Sequence, residues 1–95
     1  MTLADMERRL ADWHREKYGG EPVRVRKALC KLLEELGEFG EALNDGNGYQ
    51  AAIEAADVVF VLCHLVRSTG FSLATAIRDK LDIIEARLTD DSFGR

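Results

Sequence analysis

From Ala55 to Val66 the chain reads Ala-Ala-Asp-Val-Val-Phe-Val-Leu-Cys-His-Leu-Val, an apolar run that only Asp57 and His64 interrupt. Val58, Val59 and Val61 taken alone would suit a strand. The run is too long for one and holds no turn residue, so it predicts a helix, from about Tyr49 to Ser68. A helix apolar nearly all round is a buried one. The rest of the chain is therefore read as the cover of this segment.

Upstream, Asn44-Asp45-Gly46-Asn47-Gly48 forms a turn, and before it Val25, Leu29, Leu32, Leu36, Phe39 and Leu43 alternate in steps of four and three. That spacing draws a narrow helical seam. Pro22 suits the first turn of this helix. Gly19-Gly20 closes an earlier helix, about Leu3 to Tyr18, with Thr2 as N-cap and Leu3, Met6, Leu10 and Trp13 on one face. Downstream, Gly70 stops the apolar helix. Ser72 then caps a fourth helix striped by Leu73, Ile77, Leu81, Ile84 and Leu88, and Thr89 to Arg95 form a loose polar tail. The expected fold is all-α: a single four-helix, bundle-like domain over residues 1–95, with short connections and the third helix at its centre.

Ninety-five residues, 46% of them hydrophobic, support one domain with a modest core, which favours a homo-oligomer. A net charge of -4 with mixed signs throughout argues against a nucleic-acid surface, which needs a basic stripe. Cys30 and Cys63 stand in apolar helical runs without C-x-x-C spacing and are expected to be core thiols. The N-terminus carries charges where a signal peptide needs an apolar block, and no apolar run was expected to reach the ~18 residues of a membrane span. A cytoplasmic protein without a membrane partner is the expectation.

The acids are harder to place. Glu34, Glu35, Glu38 and Glu41 crowd two turns of the second helix with no basic residue among them, although like charges three and four apart destabilise a helix. The third helix repeats the pattern with Glu54 and Asp57, and Asp57 lies inside the apolar run. An ionised carboxylate there is costly without a cation, a metal or several donors. One reading pairs Asp57 with Arg67 or Arg87 and leaves the glutamates to solvent. The other brings Glu35, Glu38, Glu54 and Asp57 together from two facing helices as a hard, oxygen-only site, suited to Mg²⁺ or Mn²⁺. A di-iron bundle is excluded by its need for Glu-x-x-His in two helices. His14 ends Ala11-Asp12-Trp13-His14 and His64 ends Val61-Leu62-Cys63-His64, with no glutamate three residues before either. A lone histidine in an apolar helix, as His64 is, is usually a satisfied core residue.

Glu34-Glu35-x-x-Glu38, fifteen intervening residues and Glu54-x-x-Asp57 resemble the signature of the MazG-like all-α nucleoside triphosphate pyrophosphohydrolases. The likeness extends over Lys31 to Leu43 (KLLEELGEFGEAL) and Glu54 to Leu88. It implies a helical bundle assembled as a dimer or tetramer, Mg²⁺ dependence, and cleavage of a nucleoside triphosphate to the monophosphate and pyrophosphate. It further implies that Glu35, Glu38, Glu54 and Asp57 ligate the metal, that Glu34 orients or deprotonates the attacking water, and that Lys80 and Arg87 hold phosphates. Ile84 departs from the family's usual Asn between those two cations and removes a polar contact. Trp13 and His14 could stack on or hydrogen-bond a base, and Arg24, Arg26 and Lys27 could attract a triphosphate, though such residues also serve as core or solvated surface.

Two alternatives stand beside this reading. Phosphoribosyl-ATP pyrophosphohydrolase also has Glu-Ala-Ala-Asp, but this chain has Phe60-Val61 where a Tyr-His pair usually follows and lacks the Ser-Tyr-Thr stretch before the second helix. A non-catalytic helical scaffold or regulatory module is the other.

Overall fold

A computed structural model describes residues 1–20, 22 and 24–88. Four helices follow one another, α1 (Leu3–Tyr18), α2 (Val25–Asn44), α3 (Gly48–Arg67) and α4 (Leu73–Leu88), with no strand among the described residues. The expected loose tail, residues 89–95, lies outside the described residues.

The local chemistry sets the boundaries. Thr2 accepts from the Asp5 amide while the Asp5 carboxylate accepts from the Thr2 amide, a reciprocal box at the start of α1. Gly19 ends that helix at φ 67°, a left-handed conformation that disfavours a side chain. Asn47 caps α3 by accepting from the Gln50 amide at 3.0 Å. The turn before it is closed by the Asn47 amide on the Ala42 carbonyl, with Gly46 at φ 74°. Pro22 does not open α2: the helix starts at Val25 behind Arg24, which makes no side-chain cap.

The main packing is the antiparallel α2–α3 hairpin, in which the buried side chains Ala42 and Ala51 flank the turn. Counting equally outward from that turn sets Glu35 and Glu38 against Glu54 and Asp57. The helices α1 and α4 touch each other and α3, but no Cα of either comes within 8 Å of α2 among the described residues. The four helices therefore form an open arrangement rather than a closed bundle.

Openness corrects three expectations. Helix α3 is only partly covered, with Ile53, Val59 and Phe60 exposed, because a single neighbour lies along its length. Cys63 is buried as expected, whereas Cys30 is exposed, since no described residue covers its side of α2. Helix α3 is also long and apolar enough to cross a membrane by length and composition, with a hydropathy of 1.5. Ala51, Ala52 and Ile53 extend the apolar character further than Ala55 to Val66 alone suggests. Glu54 and Asp57 interrupt it on the side turned to α2.

Candidate active site

Glu35, Glu38 and Glu54 each bring a carboxylate oxygen to within 4.8 Å of the others. Glu35 is buried, Glu54 half-buried and Glu38 exposed. One Glu35 oxygen lies 3.0 Å from Lys31 Nζ, and one Glu54 oxygen accepts from Gln50 Nε2 at 2.6 Å. Their second oxygens, Glu35 Oε2 and Glu54 Oε2, are buried without a hydrogen-bond partner. Two orphaned carboxylate oxygens facing a third carboxylate form an arrangement that a hard cation satisfies.

The electrostatics agree. Glu35 beside it pushes the Glu38 carboxyl above its ordinary range, with loss of solvent and Glu54 adding to the effect. Asp57 is pushed up by burial first, then by Glu35 and Glu54, while Lys31 acts in the opposite sense. Neither Arg67 nor Arg87 is among the charges that act on it. The pairing of Asp57 with an arginine is thus not what the fold builds. Asp57 stands outside the tight triplet but on the same wall, because a spacing of three, about five-sixths of a turn, keeps the two acids of each pair on one face of their helix.

Glu34, Glu35 and Asp57 line a cleft of about 800 Å³ bordered by residues of α1, α2 and α3. Trp13, His14, Tyr18, Phe60 and His64 line it too, so the Trp13 and His14 of the sequence reading share a cleft with the acids. Lys27 and Arg24 also border it. Lys80 and Arg87 are on α4 and are not among its lining residues.

Sequence reasoning underrated His64. It is half-buried, its ring lies 4.0 Å from that of His14, and burial, then His14 and Arg67, push it down to about 4. His14 is lowered in turn by burial and Arg67 and also packs against Tyr18 at 4.7 Å. Sequence reasoning missed Glu7 altogether. This buried carboxylate accepts from Ser72 Oγ at 2.6 Å and from the amides of Leu73 and Ala74 at 2.8 and 3.3 Å, binding α1 to the start of α4. The signal was present, because Leu3, Glu7, Leu10 and His14 follow the same four-three-four spacing as the α2 seam.

Residues 3–82 match the family described as phosphoribosyl-ATP pyrophosphohydrolase. The chain is also similar to the dATP/dGTP diphosphohydrolase of Salmonella phage PMBT28, 30% identical over 87 residues. That match covers 92% of this chain and 28% of the relative, so the chain spans little more than a quarter of that protein's length. No solved structure matches it. Phe60-Val61 in place of a Tyr-His pair therefore does not set the chain apart from the first of these. The chain belongs to the phosphoribosyl-ATP pyrophosphohydrolase family, within the MazG-like all-α nucleoside triphosphate pyrophosphohydrolases.

Proposed function

We propose that the protein hydrolyses a nucleoside triphosphate, ribo or deoxy, to the monophosphate and pyrophosphate in a Mg²⁺-dependent reaction. The observation that carries this reading is the pair of buried, unpartnered oxygens on Glu35 and Glu54, with Glu35 also lining a cleft that Trp13, His14, Tyr18 and Phe60 share. Glu35, Glu38, Glu54 and Asp57 hold the metal, with Mn²⁺ as an able substitute. When bound, the ion neutralises phosphate charge and helps order a nucleophilic water.

The chain's own groups account for the rest. Glu34 borders the cleft with its side chain 60% exposed and its carboxylate 3.8 Å from Lys31 Nζ, which supports the reading that it takes a proton from water. The water oxygen bonds to the α-phosphorus as the bridging bond to the β-phosphate breaks. The proton passes to Glu34, and pyrophosphate leaves with the electron pair. Trp13 and His14 hold the base. Lys80 and Arg87 neutralise phosphates, and because α4 stays away from α2 within one chain, they reach a nucleotide where a second chain brings α4 across a cleft.

That requirement joins the reading to a homo-oligomer, dimer or tetramer, in the cytoplasm. A radius of gyration of 16.0 Å exceeds the roughly 12 Å expected of a compact chain this long. Ile77, Leu81, Ile84 and Leu88 on α4 are all exposed, as are Val25, Leu29, Leu33 and Leu36 on α2. Light scattering is expected to report a multiple of 10.6 kDa, and a cooperatively melting monomer at micromolar concentration would contradict it.

A second reading is favoured by the family match itself, namely that phosphoribosyl-ATP is the substrate. Incubation with ATP, dATP, dGTP, dCTP, dUTP and phosphoribosyl-ATP in Mg²⁺, with phosphorus NMR of the products, tests both. Orthophosphate and a nucleoside diphosphate would overturn cleavage at the α-phosphate.

A further inference from the structure

Glu35 and Glu54 reach the acid triplet from different helices, yet each is held in the same way. Lys31, four residues before Glu35 on α2, brings Nζ to 3.0 Å from one of its oxygens. Gln50, four residues before Glu54 on α3, donates from Nε2 to one of its oxygens at 2.6 Å. Residues four apart are neighbours on a helix face, which lets each donor reach its acid. In both acids the other oxygen is left buried and without a hydrogen-bond partner. A carboxylate is planar and rigid, so a donor that holds one oxygen restricts where the second can lie. The two donors differ in charge. Lys31 carries an ammonium group, which offsets the acids and competes with any cation for them. Gln50 carries a neutral amide, which occupies one oxygen and sets no positive charge against an incoming ion. Its backbone is fixed as well, since its own amide N–H donates to the Asn47 side chain at the start of α3.

We propose that Gln50 is a positioning residue for Glu54, holding one carboxylate oxygen so that the buried, unpartnered one stays free for a divalent cation shared with Glu35 and Glu38. This role rests on the Mg²⁺ reading of the acid site, and it adds a residue that touches neither the ion nor the nucleotide. Without the amide the set of acids is complete, but Glu54 is free to turn and the ion must order it on binding. Removing an outer partner of a metal ligand costs about ten- to a hundredfold in affinity or activity. Gln50 and its hydrogen bond are exposed, so the lower end of that range applies. Loss of a competing ammonium group tightens metal binding, whereas loss of a neutral donor weakens it. Lys31 and Gln50 are therefore told apart by the sign of the change.

The test is calorimetric titration of Mg²⁺ into the metal-free whole chain. Gln50→Met keeps the length of the side chain and removes the donor, and its Kd for Mg²⁺ should be about ten times that of the wild type. That ratio should hold as ionic strength rises, because no ion pair is lost. In EDTA the variant should melt with the wild type, since the lost hydrogen bond is an exposed one. Should it melt lower, Gln50→Ala, which favours the helix, serves in its place. Tyr49→Ala, a change to an exposed side chain in the same turn, should leave Mg²⁺ affinity unchanged. In turnover, the half-saturating Mg²⁺ concentration should rise about tenfold while kcat at saturating Mg²⁺ stays within about twofold, a split that a general loss of structure does not give. Equal or tighter Mg²⁺ binding in the variant, with binding intact in the wild type, overturns the role of Gln50 and leaves the metal site standing. A fall in kcat at saturating Mg²⁺ with an unchanged Kd overturns it too, because the amide would then act on the reaction and not on Glu54 as a ligand. A wild type that binds no Mg²⁺ overturns this role and the metal reading together.

Discussion

Glu7 and Glu35 are both buried glutamates, 8% and 5% exposed, and the protein uses them in opposite ways. Glu7 meets a hydroxyl and two amides at the positive end of α4, where a negative charge is stabilised. Burial alone would raise it, but Ser72, the two amides and Arg67 outweigh burial and hold it below the ordinary carboxylate range. Glu35 has one oxygen at Lys31 and the other without a donor, among further acids. A buried carboxylate with all its donors in place is part of the scaffold. One with an orphaned oxygen among like charges marks a place for a ligand, and the predictions below separate these two cases.

The largest effect is expected at Asp57. Asp57→Asn keeps the shape and removes a charge that Glu35 and Glu54 repel. Activity should fall by more than about a hundredfold, the upper range for loss of even an outer partner of a metal ligand. In EDTA the variant should melt at the wild-type temperature or higher, and Mg²⁺ should add little. The wild type should gain RT ln(1 + [Mg]/Kd), about 2.7 kcal/mol at a hundredfold excess over Kd. A large loss of stability in EDTA, with no Mg²⁺ effect on the wild type, would mean that Asp57 is scaffold in the manner of Glu7.

Glu7→Ala should do the reverse. It leaves the Ser72 hydroxyl and two amides of α4 without their acceptor, at a cost of roughly 1–3 kcal/mol. Melting should drop in EDTA and in Mg²⁺ by similar amounts, while the Mg²⁺ increment itself survives. Hydrogen exchange should show α4 released and the α2–α3 hairpin still protected.

The two regions should also answer pH with opposite signs in EDTA. Glu7 has a lowered folded pKa, so its contribution is present above the unfolded value of about 4.3 and is lost as pH falls through the folded value. His64, lowered to about 4, adds a loss that begins near pH 6.5, because the unfolded chain takes up the proton first. Asp57 and Glu38 are raised, so the folded state binds protons more readily and the hairpin gains stability as pH falls through their folded values. Residue-resolved exchange between pH 7 and 3 should show protection around Glu38 and Asp57 rising as pH falls toward 4, protection near His64 at the far end of α3 falling below pH 6.5, and protection at the α1–α4 junction falling only below about 4.3. A common slope would remove the distinction.

The elements themselves were legible in the sequence, because local punctuation carries them: Thr2 and Gly19 bound α1, Asn47 caps α3, and the stripe from Leu73 to Leu88 marks all of α4. The acid pairs were legible because a spacing of three fixes a shared helix face whatever the tertiary fold. What the sequence did not give was which side of each helix has a neighbour. Cys30 sits in an apolar run yet faces a cleft, and the exposed Val59 and Phe60 were expected inside. An apolar residue marks a side to be covered, and a single chain here leaves much of that side open. Glu7 escaped notice for a related reason. Its place on the α1 seam is legible, but its partners are 65 to 67 residues away, and the seam does not say that it caps another helix.

The smallest effect is expected at Lys31, and it bears most directly on why Glu35 tolerates burial. Lys31 Nζ lies 3.0 Å from one Glu35 oxygen and 3.8 Å from Glu34, and its hydrogen bond to Glu35, with Glu34 acting next, raises its own pKa. It is the cation that acts against the rise in Asp57, and so it stands in part for the missing positive charge. Being half-exposed, it is a weak substitute, since a surface ion pair is screened by water and salt. Lys31→Met should therefore lower the melting temperature slightly in EDTA, where the acids lose a nearby cation, and bind Mg²⁺ a few-fold more tightly, because the ion no longer competes with the ammonium group. The difference should shrink as ionic strength rises. Calorimetric titration of Mg²⁺ into wild type and variant measures it, and weaker binding in the variant would show that Lys31 positions Glu35 for the metal instead of standing in for it.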